Sequence, residues 1–375
     1  MKGTGKMDIL KECGITPFIN AHDTYTVYGG SRMAENTLEA MREISRSFVD
    51  MEQLQRNLGK ELARMTGNEG AYITNGAAGG LLLAACVCMA EGSRYKYTRL
   101  PCTEGMKNEI IVMRAQRNAY DAALWAGGAV KVEIGDADET PEYELEGSIN
   151  EKTAAVFYFV SSLYERGSME LAKTIEIAHR HNVPVVVDAA AQLPPAENLW
   201  RFTKEGADLV IFSGGKTLCG PQDSGLIVGR KELIEDCLRF GAPAHGICRF
   251  CKTSRESMAG LYVAVKNYLE ADHDRIYLEL MEKNEMVAAY MDGAGFVADT
   301  EIINRGPVGQ TYPRLFLRLK EGADGDRIVK KMYERGIYIG YDKGRHALYI
   351  SPLNLTREEA DVVGKNLKEV MEGAG

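Results

Sequence analysis

Short apolar runs alternate with longer stretches of helical periodicity between residues 70 and 229. The runs end on small or polar residues, as buried strands do. The stretches between them repeat apolar residues every three or four positions, which is typical of helices with one buried face. We therefore predict strands over 71–74, 109–113, 130–134, 154–160, 183–188 and 208–212, and helices over 76–89, 119–126 and 170–181.

Strands that alternate with helices in this way predict an α/β fold with a large, mostly parallel sheet covered on both faces. Beyond residue 229 the pattern changes to helices over 231–240, 257–280 and onward, 326–335 and from 357, with strands over 314–319, 337–340 and 347–351. Helices over 34–47 and 51–65 precede the sheet. We expect an N-terminal segment (1–50) that joins the small domain, a large domain (51–250) and a smaller α/β C-terminal domain (251–375).

Composition adds a soluble, acidic character to this picture. The 375 residues include 45 Lys and Arg and 53 Asp and Glu, a net charge of −8. This balance gives no general attraction to nucleic acid or to anionic membranes, so we expect neither partner. The apolar stretch 77–90 is too short to span a bilayer, and the N-terminus lacks the apolar core of a signal peptide. We expect a cytoplasmic protein.

Eight cysteines are scattered along the chain, which is typical of free intracellular thiols rather than of a disulfide framework. Cys248 and Cys251 have the spacing of half a zinc site. Because no second pair of Cys or His lies at a matching spacing, we expect no metal centre.

An acid and a lysine follow two neighbouring strands. The predicted strand 183–188 ends on Asp188, and the strand 208–212 leads into Ser213, two glycines and Lys216. Pyridoxal 5′-phosphate (PLP) needs this pair, a lysine amine for a Schiff base and a carboxylate that keeps the pyridine nitrogen protonated. Ligands of open parallel sheets bind at this edge. A P-loop is excluded, since Val210 stands where that motif needs glycine. Taken singly, Asp188 could be a capping residue and Lys216 a surface cation.

A phosphate site is the second requirement of PLP. The small residues Gly76, Ala77 and Ala78 lie between a predicted strand and a long apolar helix, where free N–H groups can hold a phosphate. A packed turn without a ligand is an equally good interpretation of this segment alone. Ser213 could add a hydroxyl to the same phosphate.

Several motifs together resemble one group of PLP enzymes. They are 19–21 (INA), 29–31 (GGS), 48–52 (FVDME), 71–78 (AYITNGAA), 117–121 (RNAYD), 187–192 (VDAAAQ) and 212–225 (FSGGKTLCGPQDSG). The chain resembles fold-type I PLP-dependent enzymes, specifically the selenocysteine synthase and D-glucosaminate-6-phosphate ammonia-lyase-like family, over nearly its whole length. The resemblance implies the aspartate aminotransferase-like fold, with a large sheet domain and a smaller C-terminal domain.

The resemblance also implies roles for individual residues. Lys216 would form the Schiff base and Asp188 would hold the pyridine nitrogen. The other implied cofactor contacts are Gly76, Ala77, Ala78, Gln116, Gln192, Ser213 and Lys252, the last of these reaching the cofactor of a partner subunit in a homodimer or higher homo-oligomer. Gln116 stands where relatives tend to carry a histidine beside the ring.

Substrate contacts are harder to assign from the sequence. Arg345 lies in a turn where this superfamily often contacts the substrate carboxylate, and His22 and Tyr25 belong to a polar segment that could line the entrance. Arg249, Lys252 and Arg314 are further candidates for a carboxylate or phosphate contact, although a surface cation is the better interpretation of any one of them among 45 Lys and Arg.

The activity implied by the resemblance is that of a PLP-dependent lyase acting on an amino acid or amino sugar acid. We expect β-elimination with release of ammonia, through an external aldimine. An amino-acid racemase or aminotransferase would use the same cofactor and lysine. A transferase acting on charged tRNA ranks lower because the chain is acidic, and a non-catalytic PLP-binding protein is the remaining alternative.

Overall fold

A computed structural model describes residues 8–293, 295–306 and 308–373. The chain divides into two compact units. The larger comprises Gly29–Ala271 and the described part of Pro307–Thr311, and the smaller comprises the described parts of Met1–Tyr28, Asp272–Gly306 and Tyr312–Gly375. The boundaries predicted at 50 and 250 fall inside the larger unit, because helix Glu35–Ser45 packs there against helix Arg255–Glu270.

The strands of the described residues are numbered in chain order. They are β1 (Ile19–Asn20), β2 (Gly70–Thr74), β3 (Glu109–Met113), β4 (Val130–Ile134), β5 (Thr153–Phe159), β6 (Val185–Asp188), β7 (Leu209–Ser213), β8 (Gly225–Gly229), β9 (Val297–Ile303), β10 (Arg314–Leu319), β11 (Ile337–Tyr338), β12 (Gly340–Asp342) and β13 (Ala347–Ile350).

The larger unit contains a seven-stranded sheet with the order β2-β8-β7-β6-β5-β3-β4. Neighbouring strands from β7 to β4 pair in parallel, whereas β8 is antiparallel to both β7 and β2. This confirms the predicted α/β fold with a mostly parallel sheet. The strands from β2 to β3 along this order are rich in Val and Ile and almost entirely buried, as strands covered on both faces must be, whereas the edge strand β4 is exposed at Val130 and Lys131.

Helices cover this sheet and supply two buried apolar layers. The apolar helix Gly76–Ala90 is buried along most of its length, which explains why its sequence has no polar face. The helices of the larger unit are Glu35–Ser45, Met51–Thr66, Gly76–Ala90, Arg94–Arg99, Ala122–Ala126, Glu142–Ser148, Leu171–Arg180, Asn198–Lys204, Lys231–Phe240 and Arg255–Glu270.

The smaller unit has its own core around an antiparallel sheet of order β12-β13-β10-β9. A separate parallel pair joins β1 to β11, with Ile19 opposite Ile337. The N-terminal strand thus lies beside a strand more than three hundred residues later in the sequence. Helices Ile9–Glu12, His273–Ala289, Gly325–Glu334 and Arg357–Glu372 complete this unit. None of the helices in the described parts of the chain is long and apolar enough to cross a membrane.

The long helix predicted from residue 257 to 280 and onward is wrong. The structure has two helices here, Arg255–Glu270 and His273–Ala289, and the backbone of Ala271 between them is extended (φ −70°, ψ 146°). Asp272 then caps the second helix, because its carboxylate accepts a hydrogen bond of 3.0 Å from the Arg275 N–H. A capping aspartate favours a new helix start over continuation.

Replacing Asp272 with alanine should lower the stability of the smaller unit by about 1 kcal/mol, the usual value of a lost N-cap. We expect a lower midpoint for the thermal unfolding transition of this unit in calorimetry. Asp272→Asn, which retains an acceptor oxygen, is the matched control and should remain close to wild type. Equal loss in both variants would contradict a capping role.

Candidate active site

Asp188 and Ser213 lie at the same edge of the large sheet. Asp188 ends β6 opposite Ile211 of β7, and Ser213 ends β7 opposite Gly225 of β8. Because β6 and β7 are parallel neighbours, their carboxyl ends bring Asp188 and the segment after Ser213 side by side. Lys216 follows three residues after Ser213.

Asp188 interacts electrostatically with Lys216 across this edge. Burial raises the pKa of the Asp188 carboxyl, while the Ala190 N–H and the positive charge of Lys216 act in the opposite direction. The Ala190 N–H donates to this carboxyl over 2.9 Å. An acid in such surroundings gains from a nearby positive charge, which a protonated pyridine nitrogen would provide.

The loop that carries Lys216 is tightly constrained by backbone hydrogen bonds. The Gly214 N–H donates to the Ser224 carbonyl over 2.8 Å, and the Gly220 N–H donates back to the Gly214 carbonyl over 2.8 Å. A Cβ at Gly214 would lie 2.1 Å from the Ser224 hydroxyl oxygen. Glycine is required here because backbone and side chains approach too closely for any Cβ, and the lysine is presented from a fixed loop.

The segment after β2 forms a cradle at the start of helix Gly76–Ala90. Asn75 makes no side-chain capping hydrogen bond, so the first N–H groups of the helix have no side-chain cap. Ala77 is half-buried and Ala78 is exposed. Because β8 lies between β2 and β7, Gly225 sits beside both the cradle and Ser213, and a Cβ there would lie 2.5 Å from the Gly76 carbonyl carbon.

These residues fit PLP. The helix start, which has no side-chain cap, offers N–H donors for a phosphate. The Asp188 carboxyl could pair with a protonated ring nitrogen, and Lys216 lies close enough to Asp188 to interact with it electrostatically. Along the sheet the order is β2 with the cradle after it, then β8, then β7 with Ser213 at its end and Lys216 three residues later, then β6 with Asp188. The cradle and Asp188 thus lie on opposite sides of the lysine loop, as a cofactor with a phosphate at one end and a ring at the other requires.

Gln192 links loops at this edge through its side-chain amide. Its Nε2 donates to the carbonyls of Val160 and Val308, each over 2.8 Å. Both partners belong to the larger unit. Gln192 therefore braces the loop after β5, next to Asp188, and its contact with the cofactor stays a prediction.

Gln116 is fully engaged with the protein. Its side-chain oxygen accepts from the Phe159 N–H over 2.9 Å, and its Nε2 donates to the Ser168 hydroxyl over 3.1 Å. Phe159 pairs with Asp188 in the sheet, so Gln116 supports the strand beside the acid. Its contact with the cofactor ring stays a prediction.

Tyr164 interacts electrostatically with Asp188. Burial raises the pKa of the Tyr164 hydroxyl, and the negative charge of Asp188 raises it further. Sequence reasoning missed Tyr164, which belongs to no motif.

Of the other predicted contacts, Lys252 lies in the larger unit, exposed at the end of the turn Ile247–Cys251. Arg345, His22 and Tyr25 belong to the smaller unit. Arg345 is exposed, lies 3.5 Å from the Asp342 carboxylate and stacks over the Phe316 ring. Arg345 lines a cleft on the sheet β9-β10-β13 together with Asp299 and Glu301.

His22 and Tyr25 belong to an aromatic cluster in the smaller unit. The Tyr349 hydroxyl lies 3.2 Å from His22 Nδ1. The ring centroids of Tyr25 and Tyr28 lie 5.1 and 5.2 Å from the centroid of the His22 ring. The cluster rests on a buried ion pair of 3.1 Å between Asp23 and Arg314. Arg314, a candidate anion contact from the sequence, is completely buried, and its Nε and Nη1 have no hydrogen-bond partner in the described residues.

The pKa of His22 should make stability depend on pH. Burial lowers this pKa below the ordinary value of 6.5, although the Asp23 carboxylate opposes the shift. Between the lowered value and 6.5, the unfolded chain binds a proton that the folded chain excludes, so stability is lost as the pH falls. We expect His22→Asn to show a weaker decrease of the thermal midpoint than wild type between about pH 7 and pH 5. Parallel pH profiles would contradict this.

The chain is similar in sequence to several known proteins. A family model described as SelA, L-seryl-tRNA selenium transferase, matches residues 25–289. The D-glucosaminate-6-phosphate ammonia lyase of Salmonella typhimurium is 29% identical over 98% of this chain and 99% of its own. The 5'-C-glycyluridine monooxygenase-decarboxylase of a Streptomyces species is 33% identical over 83% of this chain and 77% of its own. The L-seryl-tRNA(Sec) selenium transferase of Aquifex aeolicus is 26% identical, over 72% of this chain and 62% of its own.

Solved structures give the same result for the fold. A structure of D-glucosaminate-6-phosphate ammonia-lyase superposes with a TM-score of 0.84 at 27% identity, covering 99% of this chain and all of the other. A structure of serine palmitoyltransferase with PLP superposes with a TM-score of 0.62 at 13% identity, covering 96% of this chain and 88% of the other. The predicted fold and cofactor are confirmed. The chain belongs to the L-seryl-tRNA selenium transferase (SelA) family, and it is a PLP-dependent enzyme of fold type I.

Proposed function

We propose that the protein is a lyase that removes a β-hydroxyl group and ammonia from a hydroxylated amino acid or amino sugar acid. The observation that carries this proposal is the full-length similarity to D-glucosaminate-6-phosphate ammonia lyase in both sequence and structure. The net reaction converts a 2-amino-3-hydroxy acid into a 2-oxo acid and ammonia. The water lost in the elimination returns when the released imine is hydrolysed, so atoms balance without an oxidant or reductant.

Lys216 is the proposed catalytic residue. When bound, PLP supplies an aldehyde that binds amines covalently and a protonated ring that accepts the electrons of a broken bond at the α-carbon. The Lys216 amine holds the cofactor between turnovers. Once the substrate amine has taken its place, the freed Nζ can remove the α-proton and return a proton to the leaving hydroxyl. The constrained loop around Gly214 keeps this amine at the strand edge.

Asp188 is the proposed partner of the ring nitrogen. Burial makes its charge costly in isolation, so a proton held between this carboxylate and the ring nitrogen relieves that cost. Gly76, Ala77, Ala78 and Ser213 are the proposed phosphate contacts, because the helix start beside them carries no side-chain cap. Gln116 and Gln192 remain proposed cofactor neighbours that brace the loops on either side of Asp188.

The substrate contacts and the assembly are also proposals. We assign Arg345, His22 and Tyr25 to the substrate's acidic groups, and Lys252 to the phosphate of a partner subunit's cofactor in a homodimer. The exposure of Arg345, Tyr25 and Lys252 supports this, because side chains that await a ligand or partner must be reachable. The net charge of −8 supports an enzyme for small molecules rather than one that binds nucleic acid. A cytoplasmic location is part of the same proposal.

A second candidate reaction has its own support. The Streptomyces relative at 33% identity is a monooxygenase-decarboxylase, so the same cofactor site could serve an oxygen-dependent loss of carbon dioxide. The two reactions can be distinguished by the gases they consume or release and by their need for oxygen. Oxygen uptake and carbon dioxide release belong to the second reaction, and anaerobic ammonia release belongs to the first.

The test incubates the PLP-loaded enzyme with 2-amino-3-hydroxy acids and amino sugar acids, each with and without a terminal phosphate. We expect stoichiometric ammonia and 2-oxo acid with equal rates in air and under argon. Loss of optical activity without ammonia would indicate a racemase, and transfer of nitrogen to an added 2-oxo acid would indicate an aminotransferase. Oxygen-dependent turnover would replace the lyase proposal with the second candidate.

A further inference from the structure

A short turn far from Lys216 in sequence lies directly against the lysine loop. Residues Gly29, Gly30 and Ser31 precede helix Glu35–Ser45 and belong to the larger unit, as Lys216 does. The Ser31 hydroxyl lies 2.7 Å from the Lys216 carbonyl oxygen and 3.1 Å from the Gly215 carbonyl oxygen. Since one hydroxyl has one proton, the shorter contact to Lys216 is the main hydrogen bond.

The turn is built for this approach. Gly30 has φ +76°, which L side chains rarely adopt, and a Cβ there would lie 1.8 Å from the Gln222 side-chain oxygen and 2.5 Å from the Gly215 carbonyl oxygen. Gly215 is equally crowded from the other side, since its own Cβ would lie 2.7 Å from the Gln222 Cα. Two glycines thus let the backbones of the turn and the lysine loop come together, and Ser31 supplies the hydrogen bond between them.

The Lys216 carbonyl therefore accepts two hydrogen bonds. The second comes from the Cys219 N–H over 2.9 Å and belongs to the loop itself. The Ser31 bond is different because it ties the loop to a separate part of the chain. A peptide group held by two hydrogen bonds from different parts of the chain cannot rotate freely. The Lys216 carbonyl is therefore fixed, and with it the direction in which the Lys216 side chain leaves the backbone.

We propose that Ser31 is a positioning residue for Lys216, which rests on the assignment of Lys216 as the Schiff-base lysine. A lysine that alternates between holding the cofactor and moving protons changes its side-chain conformation in every cycle. Its backbone must stay in place for the amine to return to one position. Ser31 provides this anchor from the peptide side, without contact to the reacting atoms.

The test compares Ser31→Ala and Ser31→Thr in the PLP-loaded enzyme without substrate. The visible absorption of the lysine-bound cofactor is titrated with pH. In Ser31→Ala we expect a shift of the titration midpoint by up to about 0.7 pH unit, the equivalent of one neutral hydrogen bond, because the amine is held in a different geometry. Ser31→Thr keeps the hydroxyl and should restore the wild-type midpoint. With substrate, Ser31→Ala should lower kcat roughly 5- to 10-fold with little change in KM.

Thr66→Ala is the matched control. The Thr66 hydroxyl also donates to a backbone carbonyl, that of Leu62, over 2.7 Å, in the same unit but at the end of helix Met51–Thr66. This variant should lose thermal stability without a shift of the titration midpoint, which separates positioning from general destabilisation.

Borohydride reduction followed by mass spectrometry identifies the lysine that carries the cofactor. Labelling of Lys216 together with an unchanged midpoint and kcat in Ser31→Ala would overturn the role of Ser31 alone. Labelling of another lysine in wild type would overturn the assignment of Lys216 and, with it, the role of Ser31. Labelling of Lys216 with a shifted midpoint that threonine restores supports both.

Discussion

Replacing Lys216 with alanine should remove the visible absorption of the lysine-bound cofactor and lower kcat by at least about 10³-fold. The reason is that one amine performs two tasks, holding the cofactor between turnovers and moving protons during them. Among the described residues, the segments 188–192 and 213–220, at the ends of β6 and β7, contain no other lysine or histidine that could take over either task. Absorption spectra and ammonia release by the PLP-loaded variant are the measurements.

A surface lysine provides the control for this variant. Lys231 is exposed at the start of helix Lys231–Phe240. It follows the end of β8 at Gly229, whereas the cradle lies at the other end of β8, beside Gly225. Lys231→Ala should retain the absorption band and the wild-type kcat. A Lys216→Ala protein that kept the band and turned over at the wild-type rate would contradict the assignment of Lys216.

Replacing Asp188 with asparagine should lower kcat by roughly 10²- to 10³-fold, the scale of a lost electrostatic contact to a developing charge. Asparagine has nearly the same shape and can still accept the 2.9 Å hydrogen bond from the Ala190 N–H. It cannot supply a negative charge to the ring nitrogen. The variant should therefore bind PLP and show the absorption band, while substrate turnover is slow.

Asp188→Glu separates charge from geometry. It keeps the negative charge and lengthens the side chain by one methylene group in a confined place, so we expect partial activity, above that of Asp188→Asn. If the asparagine variant were as active as wild type, a charged partner for the ring nitrogen would be unnecessary and the role given to Asp188 would be wrong.

The hydrophobic pattern predicted the large sheet well because its strands are buried on both faces. Within that sheet the bounds of β3 and β4 are confirmed as predicted, those of β2, β5, β6 and β7 differ by one or two residues, and β8 was not predicted as a strand. Such strands depend on local runs of Val, Ile and Leu, which a single sequence displays directly. The break at Ala271 was missed because the amphipathic pattern continues across it, and only the capping hydrogen bond of Asp272 distinguishes two helices from one.

The candidate site could be predicted only where motifs follow strands. Asp188, Lys216 and the segment from Gly76 could be proposed because strand ends that point the same way share one edge of a sheet, and their roles stay predictions. The role of Ser31 was not found, although its GGS segment was recognised, because its partner at Lys216 lies 185 positions away in the sequence. The contacts of Gln116 with Phe159 and Ser168 were missed for the same reason.

The place of β8 in the sheet has a consequence for how the enzyme matures. β2 is an edge strand whose neighbour in the sheet is β8, the last strand of the sheet in sequence. During synthesis, β2 and the start of helix Gly76–Ala90 are made about one hundred and fifty residues before Gly225, where β8 begins. Such distant pairing folds slowly. Cofactor binding should therefore come late in folding. A nascent chain that ends before Gly225 should contain Lys216 but lack the strand that completes the pocket proposed for the cofactor.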